Sequence, residues 1–266
     1  MAPNISRVGD LTVFVERPAS PKGKPPVLLI HGMFGGAWYW EKYQAYLARS
    51  GYESHAMNLR GHHGSRPVRD IGKVLLDDYV ADALEVAAAL KNPIVMGHSM
   101  GGLIAQKVAE TGGCRAAVLI ASAPPRWITA ASWLLLRRQL KNARALILSE
   151  ALTPDRDDAD FLVFNRTPLR DRDQFFPLMV AESGRAGLQL SVGAIAVRES
   201  RVTAPVLVMA GLDDRLVAPR VARAIARKYR APLREYRGFA HQIITEPGWE
   251  GPCADAIEWM DRAAPS

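Results

Sequence analysis

The segment Gly97-His98-Ser99-Met100-Gly101 sets a hydroxyl between two glycines, directly after the apolar run Ile94-Val95-Met96 and directly before a helically spaced stretch, Met100 to Glu110. A nucleophile on a strand-to-helix turn of this kind has strained backbone angles. Flanking glycines keep Cβ atoms out of the crowded approach between strand and helix. The turn projects Oγ of Ser99 above a sheet and aims the amide of Met100, at the positive end of a helix, toward bound substrate. Because a serine hydroxyl is a poor nucleophile at neutral pH, it needs an adjacent base, and the base needs an acid to hold its tautomer. Downstream, Gly211-Leu212-Asp213-Asp214 offers two such acids, and Gly238-Phe239-Ala240-His241 carries the one histidine that follows them. The chemistry these residue types can perform is acyl transfer through a covalent serine ester.

Such a site needs a sheet to hold it. Leu11 to Glu16 alternates like a strand, whereas Val27-Leu28-Leu29-Ile30 is apolar on both faces and reads as a buried parallel strand. Tyr39 to Arg49 has helical spacing, Tyr52 to Met57 is strand-like, and Asp77 to Leu90 is an Ala/Leu helix ended by Asn92-Pro93. After the nucleophile helix, closed by Gly112-Gly113, Ala116 to Ile120 is the next apolar strand. Alternating strands and helices imply a mostly parallel sheet with helices on both faces, an α/β class. Pro124-Pro125 breaks the rhythm, and from Trp127 to about Ser200 only amphipathic stretches follow. The alternation resumes at Pro205 to Met209, continues through a helix from Pro219 to Tyr229, and ends with a strand at Leu233 to Tyr236 and a helix at Pro252 to Arg262. The expected division is therefore a core in two parts, residues 1–123 and 203–266, interrupted by a helical cap at 124–202.

With these elements in place, the sequence resembles the α/β-hydrolase family over nearly the whole chain outside the interruption. Three segments carry the resemblance: His31-Gly32-Met33-Phe34-Gly35-Gly36, Arg60-Gly61-His62-His63-Gly64-Ser65, and Gly97-His98-Ser99-Met100-Gly101-Gly102. The resemblance implies that the turn after the early strand supplies a second oxyanion donor, here the amide of Met33, paired with that of Met100. It also selects Asp214 over Asp213, since family loops of this form put the acid three residues after the glycine. His31 and the Arg60 to Ser65 turn are expected to be structural. In one departure, an Asp that commonly precedes that turn in the family is replaced by Asn58 or Leu59.

Serine at position 99 argues against the dehalogenase and epoxide-hydrolase branches, in which a carboxylate attacks. Ester hydrolysis is preferred because a triad and two amides suffice for it. C–C hydrolase, perhydrolase or haloperoxidase-like and hydroxynitrile lyase activities are the alternatives within the fold, and a small-molecule sensor is the alternative outside catalysis. The apolar side chains of the interruption suit a small hydrophobic ester or lactone, with Phe34, Trp127, Phe161 and Phe164 expected to touch it.

With 266 residues, 48% of them hydrophobic and 23% charged, the chain has the composition of an ordinary globular protein. Its net charge of +7 is spread over helices such as that bearing Arg220, Arg223 and Arg227, and no aromatic-basic interleaving accompanies it, so neither nucleic acid nor a membrane is expected as a partner. Cys114 and Cys253 match no metal or redox spacing, and no phosphate-binding loop occurs, so neither metal nor cofactor is expected. The start of the chain lacks a secretory signal pattern, which makes cytoplasmic location the expectation.

Overall fold

The computed structural model describes residues 4–130 and 133–265. Ten strands occur among them: β1 (Asn4–Val8), β2 (Leu11–Glu16), β3 (Val27–Ile30), β4 (Ser54–Met57), β5 (Ile94–His98), β6 (Ala116–Ile120), β7 (Ala151–Leu152), β8 (Glu182–Ser183), β9 (Val206–Gly211) and β10 (Leu233–Tyr236). The helices are α1 (Glu41–Arg49), α2 (Leu76–Ala89), α3 (Met100–Glu110), α4 (Trp133–Gln139), α5 (Ala143–Leu148), α6 (Arg156–Asp158), α7 (Leu169–Phe175), α8 (Gly184–Ser191), α9 (Pro219–Tyr229) and α10 (Glu250–Ala263). No helix among the described residues is long and apolar enough to cross a membrane.

Eight strands form one sheet in the order β1-β2-β4-β3-β5-β6-β9-β10. All neighbours from β4 to β10 run parallel, and the antiparallel pairs β1/β2 and β2/β4 close one edge. β1 is an addition to the sequence reading. Four of its five residues are exposed, so it buries no apolar face that a periodicity could report, and its pairing depends on the tight Gly9-Asp10 turn, where Gly9 takes φ +55°.

The continuous apolar strands are explained by burial on both faces. Leu28 and Ile30 of β3, Val95 of β5 and Val208 of β9 point to one side, where α2, α3 and α9 cover them. Val27, Leu29, Met96 and Leu207 point to the other, against α1 and α10. Each of these side chains is fully buried, worth about 1.5–3 kcal/mol apiece by transfer. Cys114 and Cys253 are buried free thiols within these two layers.

Between β6 and β9 the described residues add no strand to this sheet. Among them are five α-helices of eight residues or fewer, a π-helical turn at Ala159–Val163, and the separate two-strand ladder β7/β8. β5 and β3, central in the sheet, therefore deliver their C-terminal ends beneath this segment, where open parallel sheets bind ligands.

Candidate active site

Ser99 follows β5 and caps α3 at φ 56° and ψ −120°, a positive-φ backbone that a non-glycine residue adopts only under constraint. The constraint is visible. Its amide donates to Ile120 O at 3.0 Å, and its carbonyl accepts from the amides of Gly102 and Ala123 at 2.9 Å each. A Cβ at Gly97 would overlap the carbonyl oxygen of Gly101, and one at Gly101 would overlap that of Ile30. The glycines thus allow α3 to lie directly on β3 and β5, which keeps Ser99 Oγ raised over the sheet.

His241 Nε2 lies 3.0 Å from Ser99 Oγ, and His241 Nδ1 lies 2.9 Å from Asp214 Oδ2. The other carboxylate oxygen, Asp214 Oδ1, accepts from the amides of Leu216 and Val217 at 2.8 Å each, so the carboxylate cannot rotate away from the ring. Asp213 turns outward. Its carboxylate pairs with Arg166 at 2.7 Å and remains about a third exposed, out of contact with the imidazole. Thus the structure brings Ser99, Asp214 and His241 together and leaves Asp213 outside.

Two groups fix the loop that carries His241. His98 Nε2 donates to His241 O at 2.8 Å, and burial, followed by the nearby His241 ring, pushes His98 down to about 3, so it serves as a neutral donor. Glu246 accepts from the amides of Ala240 at 2.6 Å and Gln242 at 3.2 Å, bracketing the histidine on both sides. Burial raises this carboxyl to about 7, against the pull of those two amides and of His241. His98 was conspicuous in the sequence only as the neighbour of Ser99, and Glu246 carried no local signal.

The other half of the site is the turn after β3. Gly35 N donates to Gly32 O at 3.3 Å, and Phe34 has φ +62°, which makes Gly32 to Gly35 a type II turn with Met33 and Phe34 at its centre. A Cβ on Gly32 would press on that of Ser99, so only glycine lets the turn lie this close to the hydroxyl. Met33, Met100, Ser99 and His241 all line one cavity. As the first residue of α3, Met100 has an amide that no carbonyl of its own helix can accept.

His31 Nε2 accepts from the Leu59 amide at 3.2 Å, and its Nδ1 donates to Gly32 O at 2.8 Å, tying the turn to the end of β4. Burial, together with the positive His62 beside it, lowers His31 to about 3. Asn58 is one of the two residues at the departure noted in the sequence. Its Oδ1 accepts from the Ala37 amide at 2.7 Å, and its Nδ2 faces His63 O at 3.4 Å, two bonds that a carboxylate would not make together.

The cavity above Ser99 measures about 810 Å³ and is mostly apolar, with Phe34, Tyr39, Leu135, Leu162, Leu190 and Leu216 in its wall. Trp127 lies at its mouth and is 93% exposed. Phe161 and Phe164 require correction, since neither reaches this cavity. Phe161 is sandwiched between the guanidinium groups of Arg138 and Arg215, at 4.1 and 4.5 Å from the ring centre, and Phe164 is fully buried beside Phe175 inside the β6–β9 segment. A short segment must bury apolar rings to hold itself together, so Phe164 is spent on packing, while Phe161 is engaged by the two guanidinium groups.

Residues 21–248 match a family model described as serine aminopeptidase, S33. A non-heme chloroperoxidase of Burkholderia pyrrocinia is 27% identical over 255 residues, covering 85% of this chain and 88% of that protein. Among solved structures, a monoacylglycerol lipase from Paleococcus ferrophilus superposes with a TM-score of 0.75 at 20% identity, covering 95% of this chain and 99% of that one. An esterase from Thermogutta terrifontis gives 0.72 at 17% identity, covering 99% and 100%. At these identities the structural likenesses establish a shared fold.

Proposed function

This chain belongs to the S33 serine aminopeptidase family of α/β-hydrolases, and within that family we propose that it hydrolyses hydrophobic carboxylic esters or lactones through an acyl-enzyme on Ser99. One observation carries the reading: the His241 ring spans Ser99 Oγ and Asp214 Oδ2 at hydrogen-bond distance on both sides. In this mechanism Ser99 Oγ attacks the carbonyl carbon while its proton passes to His241 Nε2. Asp214, held by the Leu216 and Val217 amides, stabilises the imidazolium that forms. Negative charge on the carbonyl oxygen is met by the amides of Met33 and Met100, dipoles that need no reorganisation as charge develops. His241 then returns the proton to the leaving alcohol, and water cleaves the acyl-enzyme by the same steps.

The substrate class follows from the cavity. A mostly apolar volume of about 810 Å³ matches a ligand of many carbon atoms better than an acetyl group, so the small end of the ester range is disfavoured. The β6–β9 segment, residues 124–202 in outline, acts as a cap that closes this volume. Aminopeptidase activity is disfavoured by the charges of the wall. Asp155 and Asp158, the carboxylates that could receive a substrate ammonium, are paired with Lys141 and Arg138.

A second reading draws on the chloroperoxidase relative, which spans most of this chain. Hydrogen peroxide in place of water would cleave the same acyl-enzyme to a peracid and free Ser99.

A fluorophosphonate label and a series of p-nitrophenyl esters test the proposal. Labelling of Ser99, turnover rising from acetyl to medium-length acyl groups, and loss of turnover in Ser99→Ala are expected. Label elsewhere, or undiminished turnover in Ser99→Ala, refutes the mechanism; tight ligand binding without turnover indicates a sensor. Peroxide- and carboxylate-dependent bromination of a phenolic dye tests the second reading.

A further inference from the structure

We infer that Glu182, carried on β8 and remote from the reacting atoms, is a positioning residue that holds the oxyanion turn in its working geometry; this rests on the ester-hydrolase reading of Ser99. Glu182 is fully buried, and every group facing its carboxylate is a donor. Oε1 accepts from Tyr79 Oη at 2.5 Å and from the Ser183 amide at 2.7 Å. Oε2 accepts from His62 Nε2 at 3.2 Å and from the Phe34 amide at 3.3 Å.

The histidine is equally constrained. His62 Nδ1 lies 2.9 Å from Arg60 O, so both ring nitrogens face acceptors and the ring fits its site as an imidazolium. Burial opposes both charges, yet the mutual attraction of the pair outweighs it, holding Glu182 below and His62 above their usual ranges. A buried ion pair of this kind is a poor source of stability in itself, and its common value lies in selecting one conformation over another.

Here the conformation selected is that of one peptide. Type I and type II turns differ by a flip of the central peptide, which in this turn joins Met33 to Phe34. The type I form would relieve the positive φ of Phe34, a residue with no glycine-like tolerance for it. That flip would turn the Phe34 amide away from Glu182 and swing the Met33 carbonyl oxygen toward a buried carboxylate. Repulsion between that carbonyl dipole and the carboxylate therefore disfavours the relaxed turn, and the Phe34 N–H bond favours the strained one. Val180 N, two residues before Glu182, donates to Phe34 O at 3.0 Å, so the stretch leading into β8 pins the following peptide as well. Through these bonds a residue of the segment above the cavity holds the turn whose first peptide carries the Met33 amide beside Ser99.

The test compares Glu182→Gln, Tyr79→Phe and Ser99→Ala with the parent, each first checked for a folded circular dichroism spectrum. Four quantities are measured: kcat, KM, the inhibition constant of an alkyl boronic acid that forms a tetrahedral adduct on serine, and that of the matching alkyl carboxamide. For Glu182→Gln, kcat should fall about 10- to 100-fold with KM within about 3-fold, the loss expected from a misplaced stabilising group. Boronic acid affinity should fall by a similar factor, while the carboxamide binds as before. Tyr79→Phe, which leaves Glu182 three donors, should show a smaller loss of the same kind.

A folded Glu182→Gln protein with parental kcat and boronic acid affinity overturns the inference, as does equal weakening of boronic acid and carboxamide. If Glu182→Gln does not fold, Tyr79→Phe decides by the same two criteria. Undiminished turnover in Ser99→Ala overturns the hydrolase reading itself; with Ser99→Ala inactive, parental behaviour of the other variants overturns the role of Glu182 alone.

Discussion

Nε2 of His98 donates to the backbone carbonyl of His241 across 2.8 Å, so the residue that precedes the nucleophile in sequence holds the main chain of the base. Ser99 and His241 are thereby fixed to each other through the backbone as well as through their side chains. Loss of the imidazole in His98→Ala should leave the sheet intact but loosen the base, lowering kcat about 10- to 100-fold. Steady-state kinetics on a chromogenic ester, with a thermal melt to show the fold retained, checks this; a folded variant with parental kcat refutes it.

The two adjacent aspartates should separate sharply. Asp214→Asn leaves the His241 ring in place while changing which nitrogen carries its proton, and by the logic of serine triads kcat should fall on the order of 10⁴-fold. Asp213→Asn removes only a half-exposed pair with Arg166 and should keep kcat within about 3-fold of the parent. Rate measurements on both variants decide it, and the reverse ranking would require a different acid.

Glu246 gives a pH dependence of definite sign. Its folded-state carboxyl titrates at about 7, above its usual 4.5, so the folded protein holds this proton where the unfolded chain has already released it. The associated stability is fully present below pH 4.5 and is lost as pH rises through about 7. Glu246→Gln cannot ionise, so the parent should lose ground to the variant between pH 5 and pH 8, by on the order of 3 kcal/mol at most. Urea unfolding of both proteins at the two pH values provides the measure. A difference between them that does not change with pH would show that Glu246 is not perturbed.

Gly101 is, with Gly97, one of the two tightest points of the nucleophile turn. A Cβ there would collide with the backbone carbonyl of Ile30, which cannot swing aside as a side chain would. Gly101→Ala should cost more than about 4 kcal/mol, in the range reserved for severe packing faults, and should depress both the melting temperature and activity. Gly112, with open space around its α-carbon but φ +77°, offers a contrast: its alanine variant carries backbone strain alone and should lose only about 1–2 kcal/mol.

Much of the core was legible in the sequence because its signals are local. β3, β5, β6 and β10 follow from short apolar or alternating runs, and α3 and α9 from helical spacing between clear stop signals. Boundaries moved by a few residues where a neighbouring element decided the matter. The helical spacing from Tyr39 divides into a 3₁₀ turn at Ala37–Trp40 and α1, and the strand expected from Tyr52 begins at Ser54, where pairing with β3 starts. The exposed edge strand β1 was illegible, since a strand of Asn, Ser and Arg in water has no burial pattern to reveal.

What the sequence determined by itself was an alternating α/β chain and a serine on a glycine-flanked turn, followed by an acid loop and a late histidine. These depend on backbone sterics and on periodicities of two and 3.6, which a few consecutive residues express. The tertiary structure alone decided that His98 and Glu246 hold the backbone around His241, that Phe161 and Phe164 are engaged away from the cavity wall, and that Glu182 reaches the turn at Phe34. Most of those outcomes are contacts between residues that are far apart in the chain. Such a contact depends on where separate elements are placed in space, and no local pattern in the sequence encodes that placement.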